Sequence, residues 1–143
     1  SLTALRLEFL QEDCGELSEE IKSKLIEALP AYFEKNLNHN IFCYLIREME
    51  EVVACAFLLI VEKPANPMFI TGRTGTVLNV YTKPICRHKG YAKALMKTLL
   101  QDAVELNLSF VELESTEAGY DLYKSIGFTD DVSKYHCMKW FNV

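Results

Sequence analysis

The chain has 143 residues, half of them apolar and 24% charged, with a formal net charge of −5. A length of this order predicts a single domain over residues 1–143, able to bury roughly two-thirds of its unfolded surface without cross-links. The acidic balance excludes a general nucleic-acid binder, which would carry a basic excess.

Five cysteines, Cys14, Cys43, Cys55, Cys86 and Cys137, are scattered and include no C-x-x-C pair, which argues against zinc and thioredoxin-like chemistry. They fit a reducing, cytoplasmic setting. His88 and His136 have no partners at ligand spacing, so no metal is expected. The longest apolar run, Val52 to Val61, is half the roughly 20 residues of a membrane helix, so no membrane association is expected. The first residues carry acids and no long apolar block, unlike a secretory signal; the chain starts without methionine.

In chain order, Thr3 to Glu12 reads as a short amphipathic helix with Leu5 and Phe9 on one side. An acidic connector, Gln11 to Glu16, follows. Ser18 is the N-cap expected for a second helix, with Glu19 and Glu20 suiting the dipole and an apolar stripe of Ile21, Leu25, Leu29, Tyr32 and Phe33 running towards Leu37. Pro30 predicts either a kink or a new helix start. Ile41 to Met49 and Val52 to Glu62 form a predicted antiparallel hairpin. Its second strand is apolar on both faces, hence central and covered on both sides. Two prolines end it, and Gly72 to Gly75 reads as a loop.

The stretch from Thr76 to Leu106 carries the chemistry. A β-type run, Val77 to Tyr81, passes through Pro84 into the basic turn Arg87-His88-Lys89-Gly90. Helical spacing follows in Ala92, Leu95, Met96, Leu99, Leu100 and Ala103. A strand, a basic glycine turn and a helix start together are a recipe for holding an anion, although any strand-loop-helix unit needs a turn and glycine is common there. The first helical turn has unpaired N–H groups and the positive dipole end, and glycine admits a bulky phosphate. Leu108 to Glu114 reads as another strand. Ser115 to Glu117 caps a short helix over Ala118 to Ser125, closed by Gly127. A last strand is expected over Tyr135 to Phe141.

Arg87, Gly90 and Ala92 match a Q/R-x-x-G-x-G/A loop, and Leu122-Tyr123-Lys124-Ser125-Ile126-Gly127-Phe128 matches L-Y-x-x-x-G-F. In this order and on these elements, the two stretches resemble the GNAT family, the GCN5-related N-acetyltransferases. The resemblance covers nearly the whole chain. It implies an α/β fold with a mixed, mainly antiparallel central sheet and helices on both faces. It further implies acetyl-CoA as acetyl donor and an amine acceptor, with direct transfer in a ternary complex. The strand residues Leu78, Asn79, Val80, Tyr81 and Thr82 would border the pantetheine arm, and a backbone N–H near Val80 would polarise the thioester carbonyl. Arg87, His88, Lys89, Gly90, Tyr91, Ala92 and Lys93 would receive the pyrophosphate. The side chains of Arg87 and Lys89 are equally readable as solvated charges. Tyr123 would hydrogen-bond the departing thiolate, and Tyr120 could flank the cofactor.

The general base departs from the family pattern. Many members carry glutamate on the central strand, where this chain has Asn79. Glu112 and Glu114 share a strand face and could act through water, or could simply be solvent-facing charges. Cys86, beside cationic residues, is expected to have a lowered pKa. The acceptor is expected to be a small-molecule or peptide amine, drawn by the acidic connector; the resemblance also allows a homodimer. The competing reading is an acyl-CoA-binding module without turnover.

Overall fold

The computed structural model describes residues 1–142. Helix α1 spans Leu2–Cys14 and helix α2 Glu19–Asn36. Strands β1 (Ile41–Glu48), β2 (Glu51–Glu62) and β3 (Arg73–Thr82) follow. A 3-10 turn at Pro84–Cys86 leads to helix α3 (Tyr91–Glu105), strand β4 (Val111–Glu112) and helix α4 (Tyr120–Ser125). The sheet order is β1-β2-β3-β4, antiparallel except for the parallel β3–β4 pair.

Strand β2 is central, as its two-faced apolar sequence requires. Ala54, Ala56, Leu58 and Ile60 pack with Leu95, Met96 and Leu99 of α3. Cys55 and Phe57 on the opposite face pack with Leu5 of α1 and Phe33 of α2. Strand periodicity thus divides one continuous apolar run between two cores, and helices cover both sides. Tyr44 Oη donates a 2.7 Å hydrogen bond to Asp102 Oδ2, fastening β1 to α3.

Ser18 caps α2, its Oγ accepting from Ile21 N–H at 3.3 Å. The helix continues through Pro30 as one element of 18 residues, so no second helix starts there. Proline removes only the bond to the Ile26 carbonyl, and Ile26 lies on the solvent side where water can replace it. The β1–β2 hairpin turns through Met49 (φ 51°) and Glu50 (φ 70°), both left-handed, as a two-residue turn matching strand twist demands even without glycine.

Three expectations fail. Gly72 to Gly75 is not a loop: only Gly72 (φ 72°) turns, and β3 begins at Arg73. Gly75 lies inside the strand because a Cβ there would come within 2.8 Å of Leu58 Cδ1. The strand expected over Leu108 to Glu114 shrinks to Val111–Glu112, since β3 and β4 stay paired only at Gly75–Val111 and Thr76–Glu112. Tyr135 to Phe141 forms no strand: among the described residues no ladder partner lies beside it, and strand conformation without one leaves its backbone groups to water.

Candidate active site

The site is built where regular pairing fails on both edges of β3. On one edge, Cys55 faces Tyr81 and Phe57 faces Leu78, so Ala56 stands opposite both Asn79 and Val80. This is a β-bulge, and Asn79 is left-handed (φ 56°) within it. The bulge inverts the alternation of side chains. Val77 and Val80 both pack on the α3 side, whereas Leu78 and Tyr81 both pack on the α1–α2 side. The Asn79 side chain is 3% exposed. Its Oδ1 accepts from Arg6 Nη1 at 3.3 Å, and its Nδ2 donates to Cys55 Sγ at 3.5 Å. Asn79 therefore pins the bulge, and Val80 is left without a partner in register on β2.

On the other edge, β4 accompanies β3 only as far as Thr76, so Val77 to Thr82 have no neighbouring strand. The gap opens into a cavity of about 670 Å3. Val80, Tyr81 and Thr82 line one side of it, and Thr116, Ala118, Gly119, Leu122 and Tyr123 another. Arg87, His88, Gly90, Tyr91, Ala92 and Lys93 form its end, with Cys86 beside them and Phe9, Glu12 and Asp13 of α1 at the rim.

The basic turn opens the start of α3. His88 (φ 65°) and Gly90 (φ 81°) are left-handed, a geometry that turns successive N–H groups into one concavity. Among the described residues, none from His88 to Lys93 donates a backbone hydrogen bond outside regular structure; the first that does is Ala94, to the Gly90 carbonyl at 3.1 Å. No acidic residue lies in the first turn of α3. Unpaired donors, the helix dipole and a first turn free of acidic residues make this end of the cavity a fit for a phosphate group.

The cationic side chains are anchored elsewhere. Arg87 donates from Nε to the Thr82 carbonyl at 2.9 Å and from Nη2 to Glu12 Oε1 at 2.6 Å, joining β3 to α1. Lys89 Nζ lies 3.2 Å from Glu48 Oε1, and the carboxylate raises the lysine pKa. Lys89 does not line the cavity. Both side chains are thus ion-paired, and the fit of this end of the cavity for an anion rests chiefly on backbone N–H groups.

Tyr123 is fixed between two neighbours. Its ring meets Phe128 edge-on, with centroids 5.9 Å apart at 69°, and Gly119 lies against its Cε2–Cζ edge. Only glycine permits that approach, because a Cβ at position 119 would stand 2.9 Å from Tyr123 Cε2. Burial raises the Tyr123 pKa above the ordinary 10, keeping the hydroxyl protonated, and no described residue hydrogen-bonds it. It is therefore a free donor on the cavity wall. Tyr120, by contrast, donates to Asp130 Oδ2 at 2.7 Å and lies outside the cavity.

Cys86 corrects the expectation of an activated thiol. Its Sγ donates to Glu48 Oε2 at 3.1 Å, and that carboxylate raises the thiol pKa despite the nearby Lys89. The nearest charge, not the composition of the turn, sets the sign. Glu112 and Glu114 are exposed and do not line this cavity. The carboxylates at the rim are Glu12 and Asp13; the expected connector over Gln11 to Glu16 begins only after Cys14, and both carboxylates lie in the last turn of α1. Leu78 and Asn79 also fall outside the large cavity. Leu78 instead borders a second, apolar cavity of about 220 Å3 walled by Leu29, Tyr32, Phe33, Ile41 and Phe57, with Arg6 alongside. Gly119, Thr116 and Phe9 were not foreseen as lining residues. Gly119 was visible as the glycine preceding Tyr120, but its role depends on a ring four residues later.

The Acetyltransferase (GNAT) family model matches residues 6–128, a span that contains the bulge, the basic turn and Tyr123. Among solved structures, a predicted acetyltransferase with acetyl-CoA from Clostridium acetobutylicum is similar with a TM-score of 0.79 and 25% identity, over 96% of this chain and 87% of that one. A GCN5-related N-acetyltransferase from Ralstonia eutropha JMP134 gives 0.72 and 22%, over 95% and 89%. A ribosomal-protein-alanine N-acetyltransferase from Brucella melitensis gives 0.56 and 23%, over 79% and 89%. No match was found among curated proteins. The family match covers most of the sequence, and the chain belongs to the GNAT acetyltransferase family.

Proposed function

We propose that this protein transfers an acetyl group from acetyl-CoA to the amine of a small molecule or peptide, directly and without an acetylated enzyme. The observation that carries the reading is the placing of three features on one cavity: the bulged edge of β3, the unpaired N–H groups at the start of α3, and the free Tyr123 hydroxyl. Acetyl-CoA supplies an acetyl group activated as a thioester. Backbone N–H groups from His88 to Lys93 hold its pyrophosphate. The Val80 N–H, in the bulge on the wall of the cavity, polarises the acetyl carbonyl.

Tyr123 donates a hydrogen bond to the leaving sulfur. With its pKa above 10 and a thiolate near 8.5, hydrogen bonding is favoured over complete proton transfer. Asp13 at the rim attracts a protonated amine, which loses its proton to solvent before attack. The apolar cavity on the α1–α2 side suits the carbon skeleton of the acceptor. The raised pKa of Cys86 speaks against a covalent route through its thiol.

Thermal unfolding with acetyl-CoA, free CoA and ATP tests the cofactor. Saturation at a hundred times the dissociation constant stabilises the native state by roughly 2.7 kcal/mol. Stabilisation by acetyl-CoA but not ATP is expected; no stabilisation by acetyl-CoA would remove the basis of the reading. Turnover is then followed by thiol release with a panel of primary amines. Tyr123→Phe should reduce kcat by roughly 10²–10³-fold, the usual cost of one such donor, while leaving acetyl-CoA affinity nearly unchanged.

A second reading, binding of acyl-CoA without turnover, is favoured by Asn79, which fills the strand position with a buried amide bonded to Arg6 and Cys55. Stabilisation by acetyl-CoA without thiol release for any amine in the panel would select it.

A further inference from the structure

The apolar cavity on the α1–α2 side carries one charge. Leu29, Phe33, Ile41, Phe57 and Leu78 wall it, and among the described residues Arg6 is the only charged one lining it. Arg6 is held in two ways: Nη1 donates to Asn79 Oδ1 at 3.3 Å, and the guanidinium lies 5.9 Å from the centroid of the Phe9 ring. Among the described residues no carboxylate pairs with it. Of the acids on its own helix, Glu12 is taken by Arg87, and neither Glu8 nor Asp13 forms an ion pair with Arg6. Its remaining N–H groups bond to no described residue. A cation fixed beside apolar walls without a counter-ion is a preformed receptor for one, and the planar fork of arginine matches a carboxylate.

The place of this charge relative to the bulge decides what carries the carboxylate. Leu78 borders the apolar cavity and Val80 the large one, with Asn79 between them. Arg6 bonds to Asn79 itself, and the Phe9 ring against its guanidinium lines the large cavity. In an α-amino acid the amine nitrogen and the carboxyl carbon are separated by two bonds of about 1.5 Å each. A carboxylate on Arg6 therefore leaves the amine within a few ångströms of the bulge, while the side chain enters the apolar cavity. At about 220 Å3 that cavity is smaller than the roughly 300–1,000 Å3 of sites for drug-sized ligands. Phe33 and Phe57, edge-on with centroids 5.8 Å apart, give it a wall suited to one aliphatic or aromatic side chain.

We infer that the acceptor is a free α-amino acid with an aliphatic or aromatic side chain, its carboxylate held by Arg6 and its side chain by the apolar cavity. The inference rests on the proposed acetyl transfer and narrows its acceptor. The uncharged amine attacks the acetyl carbon, and a C–N bond forms as the C–S bond breaks. Sulfur leaves with the bonding electron pair, and the proton shed by nitrogen goes to solvent. The products are the N-acetyl amino acid and CoA. A peptide N-terminus has an amide where the free amino acid has a carboxylate, so it lacks the charge that Arg6 recognises.

Thiol release is compared for leucine and phenylalanine, each beside its amide and its decarboxylated amine. Each series shares one apolar skeleton and differs only at the carboxyl position. The better amino acid should exceed its amide and its amine in kcat/KM by roughly 10–100-fold, the range for hydrogen bonds to a charged group. Amine basicity alone would place it between the two. Arg6→Gln keeps a side-chain N–H for Asn79 and removes the charge, and it should bring the ratio of amino acid to amide close to one. Equal or faster turnover of the amide or the amine overturns the inference while leaving acetyl transfer intact. So does an equal loss for all acceptors in Arg6→Gln, which would assign Arg6 to holding the bulge. Stabilisation by acetyl-CoA without thiol release for any acceptor is the failure of the transfer reading instead. The subsite is then judged by thermal unfolding of the CoA-loaded protein, where either amino acid must stabilise more than its amide; no such preference overturns the inference.

Discussion

Replacing Gly119 by alanine would put a methyl group 2.9 Å from Tyr123 Cε2 and 3.5 Å from its Cζ. Ordinary contact requires about 3.4 Å or more, so the ring must move by roughly half an ångström. Phe128 also packs against the ring and limits where it can go, and the movement carries the hydroxyl with it. Misplacing a reacting group by about 1 Å can cost on the order of 10²-fold, so about tenfold in kcat is expected here. Stability should hardly change. Gly119 has φ −89° and ψ −12°, a conformation alanine adopts freely. Its smaller unfolded-state entropy gains about 0.4–1 kcal/mol, which offsets the roughly 0.5–1.5 kcal/mol of a displaced rotamer. The assay is thiol release with the best acceptor from the amine panel, alongside acetyl-CoA affinity and melting temperature. A tenfold loss of kcat with nearly unchanged affinity and melting is expected, and the loss should vanish when Gly119→Ala is made in a Tyr123→Phe background. Unchanged turnover, or an equal further loss in the double variant, would refute the view that Gly119 acts by placing the tyrosine hydroxyl.

Gly90→Ala should cost about 1–2 kcal/mol in denaturant unfolding, because φ 81° is strained for any residue with a Cβ although no atom lies within 4 Å of it. An unchanged midpoint would show that the left-handed turn is not needed for stability. Leu99→Ala, at a fully buried position between α3 and β2, should cost about 2–5 kcal/mol by the same measurement. Glu48 has its pKa lowered below 4.5, first by the hydrogen bond from Cys86 and then by Lys89. Its contribution to stability is therefore present above the unfolded value and lost as pH falls through the lower folded value. The difference in melting temperature between the wild type and Glu48→Gln should be seen at pH 6–7 and shrink as the pH falls below the unfolded value; a difference that does not change with pH would assign the effect to packing.

Much of the fold was legible because local pattern and burial agree. The unbroken apolar run of β2 requires cover on both faces, and the three- and four-residue steps of α3 identify the face that supplies one of them. The capping of α2 by Ser18 is likewise a local matter of one side chain and one turn. Pro30 was read as an interruption because sequence shows the missing donor but not that the affected carbonyl faces water. The Tyr135 to Phe141 run reads as a strand by alternation alone, and alternation cannot say whether a partner strand lies within reach.

For the site, the sequence by itself determined the anion-receptive turn: the order strand, glycine turn, helix is enough to place unpaired N–H groups at the start of α3. Only the tertiary structure decided the rest. The bulge at Asn79 depends on register against β2, and the cavity on where β4 parts from β3. The pairing of Arg87 with Glu12, 75 residues away, and the raised pKa of Cys86 opposite Glu48, 38 residues away, depend on which charges folding brings together. Backbone geometry at a turn is set by neighbours in sequence. Cavities and electrostatic signs are set by neighbours in space, and no local spacing records them.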